Sequence, residues 1–241
     1  MPITVLIAWE ITAHHDALHS YIFTPLETVW AAALEQGRSG ELWDNWQASL
    51  IRASIGFGIG ASIGIALGAV MAISKIADAI ISPAYHAIRQ VPLIGLIPLF
   101  GLWFGNGEES KILVVSLAAF YPTLLNTYEG LRGSDSRHLT VGAAFGLSTW
   151  QILRYVRLPG AMPSIFTGLM QATAFTWLSS IAGELLFNPG PGLGNLMLNG
   201  QVAFRMDVVI LSVIAIGLTG FSFNLAIATL ARRVLRWRSV R

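Results

Sequence analysis

The residues that could bind a metal or exchange protons are few in this chain, and their spacing matches no metal-binding pattern. Thirteen carboxylates and five histidines are spread over 241 residues, and cysteine is absent. Without cysteine, disulfides and thiolate metal sites are excluded. No Gly-Lys dipeptide occurs, so the chain has no G-x-x-x-x-G-K-[ST] phosphate-binding loop. The histidines also lack metal-ligand spacing: His14, His15, His19, His86 and His138. The sequence therefore predicts no catalytic group, metal site or cofactor in this chain.

One carboxylate, Glu184, lies inside an apolar stretch near its end. An ionisable group within a membrane span is costly and indicates a functional site, such as the coupling group of a proton-driven carrier. A hydrogen-bonding or capping role near the end of the span explains the same residue without transport chemistry. The sequence leaves both interpretations open.

The composition indicates that lipid, not water, surrounds most of the chain. Hydrophobic residues make up 54% of the sequence, charged residues only 12%, and the mean hydropathy is +0.62. A soluble domain of this size carries about a quarter of its residues as charged side chains. The formal net charge of +2 is too small to indicate nucleic-acid binding.

Apolar stretches predict an all-α membrane protein, a polytopic bundle of five to six transmembrane helices in one domain, residues 1–241. The first stretch, 1–11, is shorter than the roughly 17–25 residues that a span needs. We expect it to be the end of a first helix that starts late or upstream of Met1. The other predicted spans are 49–73, 84–104, 111–128, 164–187 and 208–230.

The placement of Lys and Arg predicts the orientation, because short cytoplasmic loops carry an excess of these residues. With the loop 134–163 and the C-terminus in the cytoplasm, eleven of the 15 basic residues lie inside and four outside. The inner set is Lys75, Arg89, Arg132, Arg137, Arg154, Arg157, Arg232, Arg233, Arg236, Arg238 and Arg241. The outer set is Arg38, Arg52, Lys111 and Arg205.

A row of small residues on the span 49–73 predicts close helix packing. Gly56, Gly60, Gly64 and Gly68 recur every four residues, which places them along one helix face. In lipid, such rows let two backbones approach, because dispersion contacts replace the hydrophobic effect. A role in gating motion is the alternative interpretation.

Prolines and hydroxyl groups within the spans are candidates for a substrate path. The prolines would kink their helices, and the hydroxyls supply polar groups within apolar stretches. Together with Glu184, the candidates are Pro92, Pro98, Thr176, Ser179 and Ser180.

The polar loop 134–163 predicts a short helix, a break at Gly146 and a second helix capped by Ser148. Trp150 lies on the apolar face of that second helix, and Pro159 with its neighbours would turn the chain into the next span. Such an amphipathic pair could lie on the membrane surface or cover the bundle.

The spacing from Gly146 to Pro159, thirteen residues later, resembles the EAA loop of ABC-importer permeases, E-A-A-x-x-x-G-x(9)-I-x-L-P. The chain departs from this pattern at its start, where Thr140-Val141-Gly142 replaces Glu-Ala-Ala. Further stretches are similar to the sulfonate, taurine and nitrate branch of that family: Ser39–Trp43, Val91–Gly105, Glu109–Leu113, Leu158–Pro163, Ala182–Glu184 and Gly192–Gly194.

The resemblance implies a MetI-like, type I importer permease in the bacterial inner membrane, with no enzymatic activity of its own. Its implied partners are a second permease copy, two cytoplasmic ATPase subunits that bind ATP and Mg²⁺, an extracytoplasmic binding protein and the lipid bilayer. The implied solute is a small anion such as a sulfonate, taurine or nitrate. The implied ATPase-docking residues are Thr140, Gly142, Ala143, Gly146, Leu147, Ser148, Trp150, Leu158 and Pro159. A secondary carrier coupled through Glu184 and a structural membrane subunit are the competing classes.

Overall fold

The computed structural model describes residues 2–16, 22–133, 144–187 and 190–238, and within these ranges the chain is helical with no β-strand. In chain order the helices are α1 (Pro2–Ala13), α2 (Leu26–Ser39), α3 (Glu41–Ile73), α4 (Lys75–Ile88), α5 (Leu93–Phe104), α6 (Glu108–Arg132), α7 (Thr149–Ile152), α8 (Leu158–Leu186), α9 (Leu193–Val202) and α10 (Met206–Val234). A π-helical turn, Leu153–Arg157, joins α7 to α8, and a 3-10 turn, Arg236–Arg238, follows α10.

Contacts between residues divide the chain into two compact units, and the single domain expected from the sequence stays a prediction. The first unit comprises Met1–Ile51 and Glu184–Thr219. Apolar side chains from α2, α9 and α10 form its core, because each of these helices turns an apolar face inward. The buried members are Val29, Ala32, Leu196, Val208 and Leu211.

The second unit comprises Arg52–Gly183 and Gly220–Arg241. One of its apolar clusters joins α3, α4 and α6 through Met71, Tyr85 and Leu124. Another joins α6 to the first turns of α8 through Leu131, Ala161 and Ile165. Helix α6 is common to both clusters and therefore organises the packing of this unit.

Two of the described helices, α3 with 33 residues and α10 with 29, are long and apolar enough to cross a membrane. The pair α4 and α5 meets the same criteria together and would make a third span. Helices α6 and α8 have 25 and 29 residues, but their apolar character is diluted by polar side chains that face protein. These are Ser116, Thr123, Thr127, Thr173, Thr176 and Ser180. The spans expected at 111–128 and 164–187 stay predictions.

The stretch 84–104, expected to be one span with Pro92 and Pro98 inside it, consists of two helices. Helix α4 ends at Ile88, α5 begins at Leu93, and the two are bent by 98° at the break between them. Pro92 accounts for the break, because proline lacks an N–H and disfavours helical conformation in the residue before it. Pro98, by contrast, lies inside α5. The region 84–104 is therefore a bent helix pair, and its crossing of the membrane as one span stays a prediction.

The glycine row of α3 lies against the backbone of α6. A methyl group on Gly60 would overlap the carbonyl oxygen of Ser116. On Gly64 and Gly68 it would lie 2.9 Å and 2.6 Å from carbonyl oxygens of α6, and on Gly56 it would overlap the side chain of Val115. The two backbones approach so closely that each of these four positions has room only for hydrogen.

Gly60→Ala should lower the free energy of unfolding by about 1–3 kcal/mol, the usual cost of forcing a methyl group into a packed interface. Gly58→Ala is the matched control, because a methyl group there would have no atom within 4 Å. Denaturant titration of the purified protein in detergent measures both. Equal effects of the two substitutions would contradict the close packing of α3 and α6.

Candidate functional site

A cavity of about 510 Å³ opens at the break between α4 and α5. Of the residues predicted for a substrate path, Pro92 and Ser179 line it. Residues from the break, α6 and α8, all within the second unit, form the remaining wall. The lining is Tyr85, Arg89, Gln90, Val91, Pro92, Leu93, Ile94, Ala118, Tyr121, Pro122, Leu125, Gln171, Phe175, Leu178 and Ser179.

The other predicted path residues lie away from this cavity. Thr176 and Ser180 are completely buried on α8, one helical turn apart. Their hydroxyl oxygens have no hydrogen-bond partner among the residues that the structure describes. Pro98 lies within α5 and is not part of the lining. Glu184, the remaining candidate, is not part of the lining either, so the structure brings two of the six predicted path residues to the cavity and leaves four outside it.

Glu184 is completely buried in the first unit and holds the amino end of α9. One of its carboxylate oxygens accepts a hydrogen bond from the Ser49 hydroxyl at 2.6 Å, and the other accepts from the Gly194 amide at 2.7 Å. Ser49 Oγ in turn accepts from the Leu193 amide at 2.9 Å. The first amides of a helix have no acceptor within the helix and favour a negative charge. Glu184 therefore acts as a cap for α9.

Asn45 completes this arrangement one turn before Ser49 on α3. Its side-chain oxygen accepts from the Gly192 amide at 2.6 Å. Glycine is required at 192, because a methyl group there would lie 2.5 Å from the carboxylate carbon of Glu184. The sequence analysis missed Asn45 and Ser49. The feature that could have indicated them is a pair of short polar residues, four apart, at the start of an apolar helix. Three successive amides thus receive side-chain acceptors.

The predicted docking residues divide between described and undescribed parts of the loop. Thr140, Gly142 and Ala143 lie outside the described residues. Gly146 has φ of 73°, a left-handed conformation that suits glycine, and so ends the preceding segment. Ser148 caps α7 in a capping box with Gln151, as the sequence analysis expected of a helix beginning there.

Two aromatic rings beside this turn are exposed. Phe145 is 81% exposed and Trp150 is 66% exposed, whereas Leu147 between them is half-buried. Rings of this size gain free energy when they are covered. The turn therefore presents an apolar surface suited to contact with a partner.

The end of the loop differs from expectation. Pro159 and Pro163 were expected to turn the chain, but both lie within the first turns of α8. Pro159 is accommodated because the π-helical turn just before it shifts the hydrogen-bond register, whereas Pro163 removes one intrahelical hydrogen bond. Leu158, the first residue of α8, is partly exposed. The helical path consequently runs without a break from Thr149 to Leu186.

Two basic residues predicted for the outer side are neutralised inside the protein. Arg52 donates to both carboxylate oxygens of Glu108 at 2.8 Å and 2.9 Å, and Lys111 donates to the same group at 3.0 Å. Burial raises the pKa of the Glu108 carboxyl, but the hydrogen bonds and charges of Arg52 and Lys111 outweigh it and hold that pKa below its usual value. Arg52 is therefore committed to an ion pair rather than to a transported anion.

Gly60-Ala61-Ser62-Ile63-Gly64 has the G-x-S-x-G spacing of a hydrolase nucleophile turn. That chemistry needs the serine on a sharp strand-to-helix turn. Ser62 instead lies in the middle of α3, so the match carries no catalytic meaning.

Ser49→Ala should lower the free energy of unfolding by about 1–3 kcal/mol, because the buried Glu184 carboxylate loses a donor and the Leu193 amide loses its acceptor. Ser54→Ala is the matched control on the same helix, since Ser54 is exposed. Denaturant titration in detergent compares the two proteins with the parent. A loss no greater than that of the control would contradict the capping role.

Comparison with known proteins agrees with this architecture. The family model described as "Binding-protein-dependent transport system inner membrane component" matches residues 60–239. An aliphatic sulfonate transport permease of Escherichia coli is 35% identical, with 98% of this chain and 90% of that protein covered. The taurine transport system permease of Escherichia coli is 32% identical, with 97% and 86% covered.

Solved structures with similar folds are transporters too. The inward-facing MetNI methionine ABC transporter matches with a TM-score of 0.65 and 18% identity, covering 78% of this chain and 93% of that one. An amino acid ABC transporter with histidines matches with a TM-score of 0.66 and 17% identity, covering 85% and 97%. At this identity the likeness establishes the MetI-like fold alone. The family match over residues 60–239 establishes the rest: the chain belongs to the inner-membrane components of binding-protein-dependent transport systems and is the permease subunit of an ABC importer.

Proposed function

We propose that this permease carries a small sulfonate, such as an alkanesulfonate or taurine, that a binding protein delivers from outside and that separate ATPase subunits drive inward. The observation that carries the substrate class is the similarity to two permeases named for sulfonates and taurine over 97–98% of this chain. A permease named for bicarbonate is 32% identical over 79% of the chain, so the shared feature of these solutes is an oxyanion.

The turn around Gly146 is the proposed docking surface for the ATPase. Phe145 and Trp150 supply exposed rings on either side of it, and the capping box at Ser148 fixes the start of the helix that carries Trp150. Where the importer pattern has glutamate, this chain has Thr140. Docking should accordingly depend on apolar and helix-end contacts rather than on a carboxylate.

Movement of the ATPase pair would pass from this turn to the membrane through one helical path. Residues Thr149–Leu186 are helical throughout, so a displacement at Trp150 would pass into α8, with the π-helical turn and the two prolines as the positions where the path can bend. Alternating access by rigid-body rocking of packed helices is the mechanism that this continuity supports. Hydrolysis of ATP and binding of Mg²⁺ belong to the partner subunit.

We assign two permease copies, two ATPase subunits and one extracytoplasmic binding protein to the complex, as the resemblance to type I importers implies. The excess of Lys and Arg around the loop and the C-terminus supports a cytoplasmic placement of both, in a bacterial inner membrane. A proton-coupled carrier is not favoured, because Glu184 is completely buried and holds α9.

Uptake in proteoliposomes tests the proposed function. Vesicles containing the permease with its ATPase, supplied with its binding protein, should accumulate butanesulfonate or taurine only when ATP is present on the ATPase side. Uptake by the permease alone in response to a proton gradient would instead identify a secondary carrier.

Trp150→Ala should weaken association with the ATPase by about 2 kcal/mol or more, which is roughly 30-fold, because a central aromatic ring dominates such interfaces. Trp30→Ala is the matched control, since Trp30 is 67% exposed on α2, outside the loop. Co-purification of the ATPase with each variant measures the difference. Retention of the ATPase by Trp150→Ala at the level of the control would place docking elsewhere.

Thr140→Glu should change this association by less than about tenfold, the equivalent of 1.4 kcal/mol. The reason is that the native contact already functions without a carboxylate at this position. The same co-purification assay measures it, with Thr140→Gln as the uncharged control. A much larger gain for glutamate alone would show that docking normally depends on the missing charge.

A further inference from the structure

The cavity at the break between α4 and α5 contains a single charged side chain among its described lining residues, that of Arg89. Arg89 is exposed and its guanidinium lies over the ring of Tyr85, 5.6 Å from the centroid. No described carboxylate lines the cavity or forms an ion pair with Arg89. The cavity is therefore electropositive.

The place of Arg89 in the chain strengthens this observation. Arg89 immediately follows the end of α4 at Ile88, at the break of a helix pair whose length and apolar composition fit a broken span or a re-entrant loop. A cation within so apolar a pair is costly against hydrocarbon and lies instead toward a water-filled path or the interior of a bundle. The cavity that Arg89 lines is such a space.

The polar groups opposite Arg89 are also hydrogen-bond donors. Asn126 donates through Nδ2 to the Pro122 carbonyl at 2.8 Å and to Gln171 Oε1 at 3.1 Å. Because the Gln171 oxygen is used in this way, its NH₂ group remains for a ligand. Ser179 adds a hydroxyl on the same helix, two turns further on. A guanidinium and an amide NH₂ suit the oxygens of an anion, while the Ser179 hydroxyl, about 12 Å along the helix from Gln171, lies too far to share the same head group.

The rest of the cavity is apolar. Phe175 and Leu178 on α8 are 54% and 58% exposed, and Ile94 at the start of α5 is 51% exposed. All three line the cavity. A ligand that matches both parts has an anionic head and a hydrocarbon body, which describes an alkanesulfonate better than nitrate or bicarbonate.

We propose that this cavity is a solute-binding site of the permease, in which Arg89 and Gln171 bind the oxyanion head and Phe175 and Leu178 contact the hydrocarbon body. The proposal rests on the function proposed above and adds a specificity-determining residue to it. Arg89 acts after the binding protein has released the solute, so it affects passage through the membrane and not the docking of the binding protein.

The test compares Arg89→Gln with the parent in proteoliposomes that contain the permease and its ATPase, with butanesulfonate delivered by the binding protein. Maximal uptake should fall about tenfold or more, the effect of removing a hydrogen-bonded charge from a bound anion. The concentration of loaded binding protein that gives half-maximal uptake should not change, because Arg89 acts after the solute has been released. Arg89→Lys, which retains the charge, should recover most of the uptake.

Arg38→Gln is the matched control, because Arg38 is an exposed arginine on α2, outside the cavity. If Arg89→Gln takes up as much solute as Arg38→Gln, the inference about the cavity is wrong and the proposed function still stands. Equal loss by the glutamine and lysine variants together with loss of basal ATP hydrolysis would also overturn the inference, because it would mark Arg89 as structural. Failure of the parent complex to take up butanesulfonate or taurine would instead contradict the proposed substrate class.

Discussion

The first unit depends on a buried carboxylate at the amino end of a short helix. Helix α9 has ten residues, a length at which an isolated helix is not stable in water. Its first amides need acceptors, and in apolar surroundings water does not supply them. Glu184 and Ser49 fill that need, and glycine at 192 lets the carboxylate approach the backbone. Glu184, which the sequence also offered as a transport group, therefore has a structural role as the cap of α9. Its cost in the membrane is offset by the hydrogen bonds it accepts.

The second unit is stabilised in the same apolar surroundings by close packing of helix backbones. Where Gly60 of α3 meets Ser116 of α6, there is no space for a side chain. Such packing relies on dispersion and makes the two helices a rigid pair, because any separation loses many contacts at once. Helix α8 packs on the same α6 through Ile165 and Leu131. Helix α8 therefore packs on this pair through its first turns and continues at its start into an exposed turn, so a displacement of that turn would reach the pair.

The sequence predicted local structure well, but it did not predict contacts between residues that are far apart in the chain. The cap at Ser148 was predictable, because its partner Gln151 lies three residues away. The partners of Glu184 could not be predicted, since Ser49 lies 135 residues away in the chain. The fold class followed from composition and motif spacing, whereas the residues of the cavity required knowledge of which helices meet.

The distribution of cations separates residues that build the protein from those available to a solute. Arg52 is 2% exposed and Lys111 is equally buried, and both are matched by Glu108. Arg132, on the opposite end of α6, is matched by Asp78 at 2.7 Å. Arg89 differs, because it is exposed, borders a cavity and lacks such a carboxylate among the described residues. Its one described contact of this kind is with the ring of Tyr85, which also lines the cavity. A cation at the break of an apolar helix pair, held over a ring of the cavity wall and without a described carboxylate, is most simply explained by the chemistry of what passes it.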